Sequence, residues 1–314
     1  MNGHFFSVNF FSTLAVIVVL TCNNFAICGE IREIHYAAEE GNLAKVKALL
    51  KDDPTLVSNK DDSGRSPLQV AVIHNHKDVV ELLLANNADI NSKDNYGRTS
   101  LHEAAYHGTK DMVEMLLANK ADINAKENDG TTPLDEAAYH GNNGVPALLL
   151  AHKADYSIFD VAACGDLAKI KLLLKKNPEL VFSKNKNGWT PLHCTAWCGQ
   201  KAAAKLLLAN KADINAKDAG NFTPLHYAAF IGNSDMVAFL LTHKPDINIQ
   251  DDNGDTPLHR AVIMSSKDVV ELLLKQGANV NTKEKYDGST PLHTAIVNGD
   301  KDIAEMLRQH GGHE

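Results

Sequence analysis

Apolar residues recur along this chain at helical spacing, in a run that the sequence repeats several times. In the clearest copy, Val79, Val80, Leu82, Leu83 and Leu84 form one stripe. Related runs are "DVVELLLANNADINSKD" from 78, "DMVEMLLANKADINAKE" from 111, "KLLLANKADINAKD" from 205 and "DVVELLLKQGANVNTKE" from 268. The stripe is too wide to be covered by one partner, so the pattern predicts helices that neighbouring copies of the same unit bury.

A shorter helix is predicted before each of these runs. Its copies are "SPLQVAVIHN" at 66, "TSLHEAAYHG" at 99, "TPLDEAAYHG" at 132, "TPLHCTAWCG" at 190, "TPLHYAAFIG" at 223, "TPLHRAVIMS" at 256 and "TPLHTAIVNG" at 290, with starts 33, 33, 58, 33, 33 and 34 residues apart. Threonine caps a helix start, and the proline after it lacks only an N–H that would have no helical partner. Glycines at 108, 141, 199 and 232 indicate where this helix ends. Later glycines indicate a turn before the next threonine.

A period of 33 residues with the motif T-P-L-H-x-A is typical of ankyrin repeats. The chain resembles that family over residues 31–311, as about nine repeats. The resemblance implies an all-α solenoid, built of stacked ankyrin-type helical hairpins with β-turn fingers that project to one side. It also implies that the motif histidines, such as His193, make structural hydrogen bonds between units and take no part in catalysis.

The interval of 58 residues contains one irregular unit, which starts at 156. This unit matches the first one, which starts at 32, with every matched residue offset by 124, and no finger turn separates it from the unit before it. We therefore predict two arrays, residues 30–152 with four hairpins and residues 153–314 with five. A stacking defect is expected near 153–156, because missing finger contacts remove one interface between neighbours.

The first thirty residues are of a different class. They contain no Asp, Glu, Lys or Arg before Glu30, and their densest apolar run, 14–20, is too short to cross a bilayer by itself. Residues 1–29 are interpreted as a signal peptide that is cleaved between 22 and 30, which would place the protein in the periplasm or outside the cell. A membrane anchor formed by residues 5–28 and a lipid attached to Cys22 are the alternatives.

Composition excludes several classes of function. A net charge of −8 and a pI near 6.0 argue against nucleic acid, which requires a basic surface. The stretch "HEAAYH" places its histidines five residues apart, so both cannot face one metal on a helix. The cysteines left after cleavage, Cys164, Cys194 and Cys198, are expected to be free thiols, since no fourth zinc ligand has suitable spacing. We expect a monomer with no enzymatic activity, cofactor, metal or small-molecule substrate.

The variable positions of the repeat remain as candidates for function. In ankyrin-like stacks, the two residues before the helix-ending glycine and the finger tips line a concave surface that binds partners, and aromatic residues and arginine are enriched at binding hot spots. The resemblance assigns this role to Tyr96, Arg98, Tyr106, His107, Tyr139, His140, Trp189, Trp197, Phe222, Phe230, Ile231, Ile263 and Met264. The two tryptophans are expected at the groove surface as the strongest anchors.

The hypothesis is therefore an exported protein that binds another protein through its concave surface. The alternative is a periplasmic or envelope factor that protects or positions an enzyme. A catalytic site in the irregular unit has little support, because no phosphate loop or nucleophile motif is present.

Overall fold

The computed structural model describes residues 32–140 and 144–314. Within these ranges the chain forms α-helices and two 3₁₀ helices, and no strand. The α-helices are α1 (32–39), α2 (Leu43–Asp52), α3 (Pro67–Ile73), α4 (Lys77–Ala85), α5 (Ser100–Tyr106), α6 (Lys110–Ala118), α7 (Pro133–Tyr139), α8 (Val145–Ala151), α9 (Ile158–Cys164), α10 (Leu167–Lys176), α11 (Pro191–Trp197), α12 (Lys201–Ala209), α13 (Pro224–Phe230), α14 (Ser234–Leu241), α15 (Pro257–Ile263), α16 (Lys267–Lys275), α17 (Pro291–Asn298) and α18 (Lys301–Gln309). Taken in pairs they are nine hairpins, and the predicted all-α solenoid is confirmed. The predicted signal peptide, its cleavage site and Cys22 lie outside the described residues.

The first helix of a hairpin starts where its threonine was expected to cap it. Thr190 accepts a hydrogen bond from the backbone of His193, and Pro191 occupies the first helical position. Gly199, which follows α11, has a φ of +70°, and a Cβ there would lie only 2.5 Å from the Asn233 side chain. Glycine therefore ends this helix both because its backbone is left-handed and because the next repeat leaves no room for a side chain.

The described residues divide into two compact units. The first unit contains residues 32–137 and 144–154, and the second contains residues 138–140 and 155–314. The predicted arrays meet close to this division, but their separate origin and a stacking defect between them stay predictions.

In the second unit the helices form two rows. The first helices α9, α11, α13, α15 and α17 pack in succession, while among the second helices α10 packs on α12, and α14 on α16 and then α18. The core lies between the rows, where Leu207, Leu225, Leu240 and Leu273 are fully buried. In the first unit α3 packs on α5 in the same way, and α2 on α4. Each hairpin thus covers the apolar stripe of its neighbour, as the wide stripe required.

The turns between hairpins form fingers that are joined backbone to backbone. The amide of Asn128 donates to the carbonyl of Tyr96 at 2.9 Å in the first unit, and the amide of Ala219 donates to Asn187 at 3.2 Å in the second. Between α8 and α9 the chain has only the five residues 152–156 before the cap Ser157, so no finger is formed there. The missing finger that the sequence indicated is confirmed.

The two repeats that lack Thr-Pro, which start at 32 and 156, share a feature that the sequence pattern did not predict. A 3₁₀ helix follows α2 at Pro54–Ser58 and follows α10 at Pro178–Phe182. In each, the residue before the proline caps the turn, with Asp53 accepting from Thr55 and Asn177 accepting from Glu179. The similarity of these two repeats at an offset of 124 therefore extends to their local backbone.

Candidate protein-binding face

In the first unit, the predicted contact residues lie on the finger before α5 and at the end of α5. Tyr96 is 68% exposed, Tyr106 and His107 are exposed, and Arg98 is half-buried. The guanidinium of Arg98 lies 5.1 Å from the centre of the Tyr106 ring, and the Tyr106 and His107 rings meet edge to face at 5.1 Å. Arg98, Tyr106 and His107 are thus in contact with one another in series, and Tyr96 is exposed on the same finger as Arg98.

Arg98 is the centre of an ion-pair network that the sequence did not predict. It contacts Glu103 at 3.5 Å, Glu127 at 2.9 Å and Glu136 at 3.0 Å. Burial raises the pKa of Glu103 and of Glu136 above the ordinary value, although Arg98 opposes that rise. Burial lowers the pKa of Arg98 itself, but the three carboxylates outweigh it and the net shift is upward. One cation thus holds three carboxylates, and we regard its main role as structural.

In the second unit, the predicted aromatic residues form one packed cluster. The ring of Trp189 lies 5.3 Å from Tyr139, 5.7 Å from Trp197 and 4.4 Å from Tyr227, centre to centre. The indole N–H of Trp189 donates to the Tyr227 hydroxyl at 2.9 Å, and that hydroxyl donates to Asp218 at 2.6 Å. The cluster is therefore held by hydrogen bonds as well as by ring contacts.

The expectation that Trp189 lies at the surface of the groove is wrong. Only 7% of its surface is exposed, because the rings around it close over the indole. Trp197 is half-buried, with its indole N–H donating to the carbonyl of Tyr139 at 2.9 Å and its ring stacked on Phe230 at 6.1 Å. Trp189 thus supports the face from below, while Trp197 forms part of it.

Phe222 and Arg260 extend this face along the fingers. The guanidinium of Arg260 lies 4.6 Å from the centre of the half-buried Phe222 ring, and it pairs with Asp251 and, at 3.1 Å, with Asp255. Tyr227 and Arg260 were missed by the sequence analysis. Both occupy the position directly after the motif histidine. The residue at that position varies between repeats, and this variation was a signal that could have identified them.

The end of the first-helix row exposes apolar side chains in consecutive repeats. Ile231 is 44% exposed and Met264 is 46% exposed, and Ile263 is exposed to a similar degree. Val297, at the equivalent position of the next repeat, is more exposed still. His140 is also exposed. The predicted residues of the second unit thus comprise a buried support, a half-buried aromatic surface and an exposed apolar row.

Three of the motif histidines, His102, His193 and His226, join adjacent repeats, as expected. His193 is fully buried, and its Nε2 lies 3.0 Å from the carbonyl oxygen of Phe222 in the next finger. Burial lowers the pKa of His193 to about 4 and that of His226 to about 4, so both rings are neutral near pH 7. Neither ring is accessible to a substrate.

The cysteines do not form a reactive site. Cys164 and Cys198 are free thiols, and burial raises the pKa of each to about 12, which leaves almost no thiolate at neutral pH. Cys198 donates to the carbonyl of Ala138 at 3.2 Å. Residues 32–140 and 144–314 contain no group of three or more His, Cys, Asp or Glu side chains that could hold a metal ion. None of the helices in these ranges has the length and apolarity that crossing a membrane requires.

Comparison with known proteins identifies the repeats. A family model described as ankyrin repeats (3 copies) matches residues 34–127, 92–160, 158–218 and 225–314, and a second, ankyrin repeats (many copies), matches 199–241. The chain therefore belongs to the ankyrin-repeat family. Such repeats indicate a role in protein–protein interaction, and proteins built from them are generally non-enzymatic scaffolds.

A plant protein kinase is similar to a short part of the chain. The serine/threonine-protein kinase VIK of Arabidopsis thaliana is 44% identical over 57 residues, which are 18% of this chain and 13% of the kinase. The chain thus spans far less than two thirds of that relative, and the similarity is limited to this stretch.

Proposed function

We propose that this chain is an exported ankyrin-repeat protein that binds a protein partner through the first-helix row and the fingers. The observation that carries the proposal is the exposed apolar row of Ile231, Ile263 and Met264. Exposed apolar side chains clustered in this way are typical of surfaces that another protein covers.

Two further surfaces support a face of this kind. Trp197 and Phe230 adjoin the apolar row with stacked rings, and aromatic rings at a surface are frequent anchors of binding. Tyr96 and Tyr106 give the first unit an aromatic patch of its own. Tyr139, His140 and Phe222 complete the proposed contact set, with Arg98 and Trp189 holding neighbouring contact residues in place.

The two units differ in net charge. Residues 32–154 contain 13 Lys and Arg against 19 Asp and Glu, while residues 155–314 contain 18 against 19. The first unit therefore offers a partner an acidic, aromatic surface, and the second unit offers a nearly neutral, apolar one. Complementarity favours a basic partner segment on the first unit and an apolar partner segment on the second.

Site-specific photo-crosslinking in the source organism tests the proposal. A photoreactive residue at Ile263 should capture a protein, whereas one at Leu172, which is 45% exposed on the second helix α10, should not. A variant with Ile263→Ala and Met264→Ala should then bind the purified partner at least about tenfold more weakly, while Leu172→Ala should bind normally. Equal capture at both positions, or unchanged affinity of the double variant, would overturn the proposal.

The same experiment distinguishes simple binding from the alternative function, in which the chain protects or positions an enzyme. If the captured protein is an enzyme of the envelope, and its half-life or activity falls when Ile263 and Met264 are replaced, the chain protects or positions that enzyme. Recovery of the chain from the extracytoplasmic fraction tests export independently of either outcome.

A further inference from the structure

In three first helices the third residue is a buried histidine that makes two hydrogen bonds of fixed direction. In the repeat of Thr190, the backbone N–H of Thr190 donates to Nδ1 of His193 at 3.0 Å. The other ring nitrogen, Nε2, lies 3.0 Å from the carbonyl oxygen of Phe222. A backbone N–H can only donate and a carbonyl can only accept. Nδ1 must therefore lack a proton and Nε2 must carry one, which is one particular tautomer of the neutral ring.

The same two bonds occur in other repeats. Nδ1 of His226 accepts from Thr223 at 3.1 Å, and its Nε2 donates to the carbonyl of Asp255 at 3.1 Å. In the first unit His102 accepts from Thr99 at 3.2 Å and donates to Thr131 at 3.2 Å. Each of these rings ties the start of its own helix to the finger of the next repeat.

Gln69 makes the equivalent bonds without a group that titrates. Its Oε1 accepts from the backbone N–H of Ser66 at 2.9 Å, and its Nε2 donates to the carbonyl of Arg98 at 2.8 Å. Asp135, in the repeat without a following finger, accepts from the N–H of Thr132 at 2.8 Å, and a carboxylate has no proton to donate onward. Asp160, the third residue of α9, likewise accepts from the N–H of Ser157 at 2.5 Å.

The charged groups around the histidines do not outweigh the effect of burial on the pKa of each ring. Asp218 and Lys184 act on His193 with opposite signs, and the rings of Trp189 and Tyr227 pack against it. Around His226 the carboxylates of Asp251 and Asp218 are opposed by Arg260, and the ring of Phe222 packs on it. Around His102, Glu127 is opposed by Arg98 and Lys93. All three imidazoles are fully buried, so burial is the largest influence on each.

We propose that His102, His193 and His226 make the coupling between adjacent repeats sensitive to acid, whereas Gln69 keeps the coupling of its repeat insensitive. Protonation of Nδ1 removes the acceptor of the buried threonine N–H, and a charged ring is stable only where water reaches it. The ring therefore leaves its site, and the next finger loses its bond to the helix.

The direction and size of the effect follow from linkage. A histidine with an ordinary pKa near 6.5 in the open state and about 4 in the closed state stabilises the closed state fully above about pH 7 and loses that stabilisation as pH falls from 6.5 towards 4. Between pH 7.5 and pH 5.0 the open fraction of such a junction should rise about 30-fold. If the proposed function holds, the finger residue Phe222 moves with this opening, and acid weakens partner binding.

Amide hydrogen exchange on the full chain without a partner tests this inference independently of the proposed function. Protection factors corrected for the intrinsic pH dependence should fall about 30-fold at Thr190 and Thr223 between pH 7.5 and 5.0, and should fall at Thr99. Ser66, the cap of the Gln69 repeat, is the internal control. Because Nε2 of His35 lies 2.9 Å from the neighbouring carbonyl of Arg65, Ser66 is measured in a His35→Gln chain, where it should change less than threefold.

Exchanging the two residue types provides the matched variants. His193→Gln should make Thr190 insensitive to pH while Thr223 still responds, and Gln69→His should make Ser66 acid-sensitive. Imidazole ¹⁵N shifts in the unaltered chain should show the Nε2–H tautomer at pH 7.5. Equal falls at Ser66 and Thr190, or no fall at Thr190, would overturn the inference even if a variant failed to fold.

Discussion

Replacing Trp189 tests whether the aromatic cluster is core or binding surface. The indole is 93% buried on the basis of its 7% exposure, and an aromatic side chain of this size buries about 150–250 Å². At about 25 cal/mol per Å² this area corresponds to roughly 5 kcal/mol, which is an upper value because the unfolded chain is partly collapsed. We therefore expect Trp189→Ala to lower the free energy of unfolding by about 4 kcal/mol, as large-to-small aromatic changes in cores do.

Trp189→Phe separates the ring from its hydrogen bond. Phenylalanine keeps much of the contact with Tyr139 and Tyr227 but cannot donate to the Tyr227 hydroxyl, which the indole reaches at 2.9 Å. The expected loss is about 1 kcal/mol for that bond, with a further contribution from the smaller ring. Trp197→Ala should lie between the two variants, since its ring is only half-buried.

Urea unfolding followed by circular dichroism at 222 nm measures these differences without depending on tryptophan fluorescence. Leu172→Ala is the control, because its side chain is 45% exposed and its replacement should cost less than about 0.5 kcal/mol. If Trp189→Ala loses no more stability than Leu172→Ala, the cluster is not a core and the assignment of Trp189 to a supporting role is refuted. Normal partner binding by folded Trp189→Phe would agree with that role.

Three further outcomes are expected. Arg98→Ala should destabilise the first unit by about 2 kcal/mol or more at pH 7, because three carboxylates lose their common cation, and the deficit should shrink towards pH 5 as carboxyls with raised pKa values take up protons. Lys45→Ala, which removes an exposed pair with Glu33, is the control, and equal losses in urea unfolding would contradict the network. Intact-mass measurement should find the mature chain beginning between residues 22 and 30, and a retained first segment would instead favour an anchor. Hydrogen exchange should be faster in 156–165 than in 223–232, because the former repeat has no finger before it, and equal protection would mean that the seam has no mechanical consequence.

The periodic sequence determined the architecture, because each repeat is stabilised by local signals and by contacts with its immediate neighbours. The Thr-Pro start of α11, the left-handed glycine at 199 and the apolar stripe of α12 each act within one hairpin or the next. A missing finger could be counted directly from the spacing. For the same reason the residues at variable positions could be listed from the sequence. Two of them, Ile231 and Met264, are exposed in the structure, as residues of a binding surface must be.

Only the tertiary structure decided which listed residues reach the surface. Trp189 occupies a finger position like that of Phe222, yet Tyr139, Trp197 and Tyr227 close over it, and these residues are between 8 and 50 positions away in the chain. Burial of a side chain depends on such distant neighbours, and a repeat pattern specifies only the frame that they share. The proton position on a motif histidine such as His193 likewise depends on the partners of its two ring nitrogens. Nδ1 is bound by Thr190, the cap of its own helix, and Nε2 by Phe222, which lies 29 residues further along the chain.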